Sequence, residues 1–143
     1  MNLQAPLSVL LVDDSAIVRK RLCRLLADEA FVQIVGEAAG ALEGLMLYRS
    51  RQPQAVVLDL QLPGISGLEL LQRIKQRTPD CQVIILTNYS GIEVRDACLG
   101  LGADYVLHKA SEFEQIVAIL RRVSCAATHF DAPGCPLQRL PAV

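Results

Sequence analysis

The sequence predicts an α/β fold in which helices cover both faces of an open, five-stranded parallel sheet. Short, continuous apolar runs recur five times, as expected of strands that are buried on both faces. A segment with the 3.6-residue spacing of an amphipathic helix follows each run. Strands that alternate with helices are joined by crossovers, which makes neighbouring strands parallel. The predicted strands are Ser8–Val12, Phe31–Gly36, Gln54–Asp59, Gln82–Leu86 and Asp104–Leu107.

The five predicted helices have recognisable ends. Ser15 is placed to cap the first helix, and Pro53 prevents the second from continuing. Ser111 and Glu114 have the spacing of a capping box, so we expect the last helix to begin at Ser111. The helical segments are an apolar stripe from Ile17 to Leu26, then Ala41–Arg51, a stripe from Leu68 to Ile74, Gly91–Leu101, and a stripe from Phe113 to Leu120.

Composition excludes several classes of protein. The chain has 143 residues, of which 52% are hydrophobic and 20% charged, and this is too apolar for a disordered chain. A net charge of −1 and an aromatic content of 4% argue against direct binding of nucleic acid. No apolar run approaches the length of a membrane span, and the first seven residues lack the pattern of a signal peptide, so we expect a cytoplasmic protein. Five cysteines without a CxxC motif indicate reduced thiols.

Polar residues follow four of the predicted strands. Asp13 and Asp14 come after the first strand, Asp59 ends the third, Thr87 follows the fourth and Lys109 closely follows the fifth. Ligands of open parallel sheets bind outside the carboxyl ends of the strands, so we expect these five side chains to converge. The alternative is that they are ordinary polar residues at strand ends.

The predicted cluster has the chemistry of a phosphoryl-accepting site. Three carboxylates that lie close together repel one another, and a hard divalent cation such as Mg²⁺ would remove that repulsion. Asp59 can then act as a carboxylate nucleophile towards a phosphoryl group. Lys109 and Thr87 can contact the phosphoryl oxygens.

At these residues the sequence resembles the receiver domain of two-component response regulators, over about residues 7–123. The resemblance implies a flavodoxin-like, doubly wound parallel sheet with strand order 2-1-3-4-5 and five helices. Residues 124–143 hold three prolines, a glycine and no clear period, so we expect a flexible or loosely docked tail there. The matching motifs are LLVDDS (Leu10–Ser15), VVLDLQLPGISGLELL (Val56–Leu71), IILTN (Ile84–Asn88) and GADYVLHK (Gly102–Lys109).

The same resemblance implies roles for individual residues. Asp59 would accept a phosphoryl group, and Thr87 and Lys109 would complete the catalytic set. Mg²⁺ would be bound by Asp14, Asp59 and the backbone carbonyl of Gln61, and through water by Asp13.

It also implies partners. A sensor histidine kinase or a histidine phosphotransfer protein would donate the phosphoryl group. The face of the fourth helix, fifth strand and fifth helix would bind an unknown downstream protein or form a homodimer. Such a chain is a signalling domain rather than an enzyme, and it needs no membrane.

Twenty residues after the receiver cannot hold an output domain, so we expect a stand-alone receiver or a receiver cut from a longer protein. The initial Met slightly favours the former.

Three positions depart from the family pattern. The aromatic residue that usually precedes the lysine by three positions is replaced by Val106, while Tyr105 lies one residue earlier. The resemblance implies that Thr87, Tyr105 and Val106 are the residues of the conformational switch. Neighbouring residues of a strand face opposite sides of the sheet, so Tyr105 cannot simply take the place of Val106. Asn88 stands where Ala or Gly is usual, and Ala110 stands where Pro is common.

Two other functions remain open from the sequence. The first is a receiver-like adaptor that works without phosphorylation, which the changes at Val106 and Asn88 permit. The second is a phosphatase that forms an aspartyl-phosphate, whose D-x-D-x-T motif would follow the first strand. This chain has Asp13-Asp14-Ser15 there and its best nucleophile on the third strand, which argues against the phosphatase.

Overall fold

A computed structural model describes residues 5–89 and 91–130, with side chains to residue 126. Within these residues the chain forms five strands and six helices in strict alternation until the last strand. The strands are β1 (Leu7–Val12), β2 (Val32–Ala38), β3 (Ala55–Leu58), β4 (Gln82–Thr87) and β5 (Tyr105–His108). The helices are α1 (Ala16–Leu26), α2 (Ala41–Arg51), α3 (Gly67–Arg77), α4 (Ile92–Gly100), α5 (Lys109–Glu112) and α6 (Gln115–Phe130).

The five strands form one parallel sheet in the order β2-β1-β3-β4-β5. This confirms the predicted fold class and strand order. The central strands are buried on both faces, since every residue of β3 is buried and only the first residue of β4 is not. Their continuous apolar character therefore reflects burial between two helical layers.

Two hydrophobic clusters fill the space on either side of the sheet. Helices α2, α3 and α4 pack on one face through residues such as Leu45, Leu71 and Cys98. Helices α1 and α6 pack on the other through residues such as Leu22 and Leu120. This division leaves the carboxyl edge of the sheet open between the two layers, where the loops carry the polar residues.

The structure corrects the prediction at the last helix. No helix begins at Ser111, because the chain turns into α5 directly at Lys109, after β5. Glu112 rather than Glu114 accepts a backbone hydrogen bond there, from the N–H of His108 at 2.9 Å. A second helix, α6, then runs from Gln115 to Phe130 and includes the first seven residues of the predicted tail. The remainder of the predicted tail, residues 131–143, lies outside the described residues.

Candidate functional site

Four of the five side chains predicted to converge come together at the carboxyl edge of the sheet: Asp13, Asp14, Asp59 and Lys109. Asp13 directly follows β1 and Asp59 directly follows β3, and the two residues are only 3% and 4% exposed. The Nζ atom of Lys109 lies 2.7 Å from Asp13 Oδ2 and 2.9 Å from Asp59 Oδ2. One ammonium group therefore bridges the two buried carboxylates.

Asp14 completes an oxygen-rich site. One carboxylate oxygen from each of Asp13, Asp14 and Asp59 lies within 4.8 Å of the other two. Asp14 is exposed whereas the other two are buried, so the cluster opens to solvent on the Asp14 side. Three carboxylates with one open side suit Mg²⁺, which prefers oxygen ligands and keeps several of its waters. The donor set therefore fits the predicted ion.

Short-range hydrogen bonds hold Asp13 in place. Its N–H donates to Ala38 O at 3.0 Å, and its Oδ1 accepts from the N–H of Ser15 at 2.9 Å. The hydroxyl of Ser15 in turn accepts from the N–H of Val18 at 3.2 Å, so Ser15 caps α1 as predicted. The carboxylate is thus tied to the first turn of a helix as well as to the sheet.

Asp59 is held by the neighbouring strand and by its own loop. Its N–H donates to Val12 O at 2.9 Å, and its Oδ1 accepts a long hydrogen bond of 3.3 Å from the N–H of Gln61. Gln61 therefore lies beside the cluster, in the β3–α3 loop where the sequence placed it.

Gly67 is a residue of this site that the sequence placed only in a loop. A Cβ atom there would lie 2.3 Å from Asp59 O and 2.6 Å from the Cα of Leu60. The first residue of α3 therefore packs directly against the backbone of the phosphoacceptor candidate. No side chain fits in this space, since both neighbours are backbone atoms. The motif G-I-S-G contained this glycine but carried no sign of the contact.

Burial and charge act against each other within the cluster. Burial raises the pKa of Asp13 above its ordinary value, although Lys109 and the N–H of Ser15 pull it down. Burial also opposes the charge on Lys109, but its hydrogen bonds to Asp13 and Asp59 outweigh this and raise its pKa. Lys109 is therefore an ammonium ion at neutral pH, and it compensates only part of the negative charge around it.

The three predicted switch residues occupy different environments. Thr87 is the last residue of β4, is 1% exposed, and accepts a hydrogen bond from the N–H of Tyr89 at 3.2 Å. Tyr105 belongs to the core cluster on the α1/α6 face of the sheet, whereas Val106 belongs to the cluster on the other face. The structure thus confirms that Tyr105 does not occupy the position of Val106.

Two further contacts near the cluster escaped the sequence analysis. The side-chain amide of Gln61 donates to the hydroxyl of Tyr89 at 3.1 Å, which joins the β3–α3 and β4–α4 loops. The guanidinium of Arg19 donates to the carbonyl oxygen of Asp13 at 2.6 Å. Both contacts join different structural elements, and no local pattern marks either.

Comparison with known proteins is consistent with this geometry. The family model of the response regulator receiver domain matches residues 9–121. The response regulator GacA of Pseudomonas aeruginosa is 32% identical over 117 residues, which cover 82% of this chain and 55% of GacA. An uncharacterized transcriptional regulatory protein of Bacillus subtilis, YhcZ, is 33% identical over 78% of this chain and 52% of its own length. The chain thus spans about half the length of these relatives.

Solved structures give the same result. A LuxR-family two-component response regulator from Aurantimonas is 31% identical, with a TM-score of 0.78 over 85% of this chain and 86% of that one. The receiver domain of a putative NarL from Mycobacterium tuberculosis shares the fold, with a TM-score of 0.77 at 24% identity, over 84% of this chain and 98% of that one.

The fold, the acidic edge of the sheet and the family match together define the class of the protein. The chain belongs to the receiver domains of two-component response regulators, as the sequence motifs predicted. Such domains are signalling modules rather than conventional enzymes. Within residues 5–89 and 91–130, no helix has the length and apolar character required to cross a membrane.

Proposed function

We propose that this chain accepts a phosphoryl group on Asp59 in a Mg²⁺-dependent reaction and signals through the resulting change in charge. The observation that carries the proposal is the cluster of Asp13, Asp14 and Asp59, whose oxygens lie within 4.8 Å of one another, with Lys109 bound to Asp13 and Asp59. A buried arrangement with this excess of negative charge is costly unless a cation shares it.

Asp59 is the proposed nucleophile because it follows the third strand within the motif that resembles the receiver family, and because its carboxylate is buried against Lys109. A carboxylate oxygen of Asp59 forms a bond to phosphorus while the bond from phosphorus to the donor's imidazole nitrogen breaks. The leaving nitrogen keeps the electron pair and takes up a proton, so that the products are an aspartyl-phosphate and a free histidine. When bound, Mg²⁺ supplies positive charge that stabilises the transferring phosphoryl oxygens.

The surrounding residues have separate proposed tasks. Asp14, Asp59 and the backbone carbonyl of Gln61 would hold the ion directly, and Asp13 would act through water. Lys109 would exchange part of its contact with Asp59 for a phosphoryl oxygen, which its flexible stem and fixed charge allow. Thr87, buried at the end of β4, would donate its hydroxyl to another phosphoryl oxygen.

The proposed donor is a phosphohistidine on a sensor histidine kinase or a histidine phosphotransfer protein. Ile17, in the first turn of α1, is 79% exposed only a few residues beyond Asp14. Because Ile17 follows Asp14 by only three residues, a protein donor that reaches the acidic cluster can also contact this exposed apolar side chain. This assignment implies a cytoplasmic location.

The proposed output surface is the face of α4, β5 and α6. A cavity of about 280 Å³ lies there, and its lining includes Arg95, Val106, Ile119 and Arg122. Phosphorylation would shift the population of conformations of this face, which would then bind a downstream protein or a second copy of the chain.

A phosphorylation assay tests the proposal. The protein is mixed with Mg²⁺ and either acetyl phosphate or a phosphorylated histidine phosphotransfer protein, and incorporation is measured by intact-mass spectrometry. Wild type should gain about one phosphoryl group, D59N should gain none, and D28N, a change at an exposed aspartate on the surface, should behave as wild type.

Other results would reject specific parts of the proposal. Incorporation that persists in D59N would show that Asp59 is not the acceptor. Sustained release of phosphate from a phosphate ester over many equivalents would indicate a phosphatase instead. A wild-type protein that takes up no phosphoryl group from either donor would favour an adaptor that works without phosphorylation.

A further inference from the structure

Arg19 connects α1 to the backbone of the acidic cluster. Its Nη1 atom donates to Asp13 O at 2.6 Å, and its Nε atom donates to Glu37 Oε1 at 3.2 Å. Glu37 lies on β2, and its second oxygen accepts a bond from Cys23 Sγ at 3.4 Å. The side chain of Arg19 is only 18% exposed. A guanidinium group has a rigid, planar set of donors, so two bonds in different directions fix its position.

The carbonyl that Arg19 contacts belongs to the peptide between Asp13 and Asp14. The other polar groups of Asp13 already have partners, since its N–H bonds to Ala38 and its two carboxylate oxygens contact Ser15 and Lys109. A peptide group is planar, so a hydrogen bond that holds the oxygen of Asp13 also orients the whole Asp13–Asp14 peptide, which includes the Cα atom of Asp14. Asp14 is exposed, and the direction of its side chain therefore depends strongly on this plane.

The positive charge of Arg19 by itself acts against Mg²⁺ binding at the acidic cluster. A positive group near a cation site repels the cation, so charge alone would make Arg19 unfavourable for binding Mg²⁺. Glu37 partly offsets this charge through the ion pair. A favourable contribution of Arg19 to Mg²⁺ binding must therefore come from geometry.

We propose that Arg19, anchored by Glu37, is a positioning residue that orients the Asp13–Asp14 peptide for Mg²⁺ binding. The inference rests on the proposed function, because it assumes that the acidic cluster holds this ion. Arg19 does not contact the ion or the phosphoryl group. It acts through the backbone of the two aspartates, and its contribution is made before any phosphoryl donor arrives.

Mg²⁺ titrations of R19M and R19K test the proposal. Binding is followed at constant ionic strength by the ¹H–¹⁵N NMR signals of residues 14, 15 and 61, in the absence of a phosphoryl donor. Both variants should bind Mg²⁺ about tenfold more weakly than wild type, the lower end of what is typical for residues that orient metal ligands. R19K keeps the charge but loses the planar pair of donors, and is expected to fold even if R19M does not.

A matched control removes a different arginine. R73M breaks the Arg73–Glu69 ion pair, which has an N–O distance of 2.8 Å and lies on the surface of α3. It removes the same charge, and should leave the affinity for Mg²⁺ within twofold of wild type. A larger effect of R73M would mean that net charge controls binding and would overturn the proposal.

The direction of the change in Mg²⁺ affinity distinguishes a positioning role of Arg19 from an effect of its charge. If Arg19 acts only through its charge, R19M will bind Mg²⁺ more tightly than wild type and R19K will be unchanged, and either result would overturn the positioning role. If R19K binds Mg²⁺ as well as wild type does, the positioning role of Arg19 is overturned and the proposed function is not affected. Wild type that does not bind Mg²⁺ would overturn the metal site of the proposed function as well.

Discussion

Replacement of Lys109 by methionine should destabilise the protein in a way that depends on pH. Lys109 bridges Asp13 and Asp59, and the three side chains are 10%, 4% and 4% exposed. Methionine fills a similar volume but leaves two neighbouring carboxylates without their shared cation. Breaking a buried ion pair from one side typically costs about 3–5 kcal/mol. Because this cluster opens to solvent at Asp14, we expect about 3 kcal/mol at pH 7.5, or a Tm lower by roughly 10 °C.

The pH dependence follows from Asp13. Burial already raises its pKa above the ordinary value of 3.8, and loss of Lys109 will raise it further. A carboxyl with a raised pKa in the folded state is least costly at low pH, where it is protonated. The cost then increases as pH rises through its folded pKa. The difference in free energy of unfolding between wild type and K109M should therefore be smaller at pH 4.5 than at pH 7.5. The hydrogen bonds to Asp13 and Asp59 raise the pKa of Lys109, so Lys109 of the wild type stays charged at both pH values.

Urea denaturation at both pH values measures the effect. K20M, which removes an exposed lysine of α1, is the control and should change stability by less than about 0.5 kcal/mol. Addition of Mg²⁺ should restore more stability to K109M than to wild type, since the ion replaces the missing positive charge. An equal loss at both pH values would refute the electrostatic explanation and leave only altered packing.

Three other changes have defined outcomes. G67A should lower the free energy of unfolding by more than about 2 kcal/mol, because its Cβ would lie 2.3 Å from Asp59 O; a Tm equal to wild type would contradict this contact. S15A removes the cap of α1 and should cost about 1 kcal/mol in urea denaturation, whereas an unchanged midpoint would mean that the cap is energetically silent. Burial raises the pKa of Cys81 to about 12, so at pH 8 iodoacetamide should modify the exposed Cys125 and spare Cys81 in peptide mapping. Equal labelling of both in the folded protein would disprove this protection.

Much of the site could be predicted because its residues follow strands. Parallel strands deliver their carboxyl ends to one edge of the sheet, so the positions of Asp13, Asp59 and Lys109 in the chain were sufficient to bring them together. The two-residue period of a strand likewise predicted that Tyr105 and Val106 face opposite sides. Both arguments need only local pattern and the general geometry of a parallel sheet.

The position of the last helix could not be predicted in the same way. Ser111 and Glu114 have the spacing of a capping box, but Glu112 accepts the N–H of His108 and the helical turn begins at Lys109. Several arrangements of serine and glutamate satisfy the same orphan donors at similar free energy. Phe113, which directly follows α5, is buried in the core with residues of α1 and α6, and such packing is not a local property of the sequence.

The sequence by itself determined the layered α/β fold, the order of its elements and the residues of the acidic cluster, because burial and strand direction are encoded in short patterns. Only the tertiary structure decided how that cluster is held. Arg19 meets Glu37 from 18 positions away, and Gly67 meets the backbone of Asp59 across a loop. Such contacts depend on the distance between packed elements, which is set by the whole core and not by any single segment of the chain.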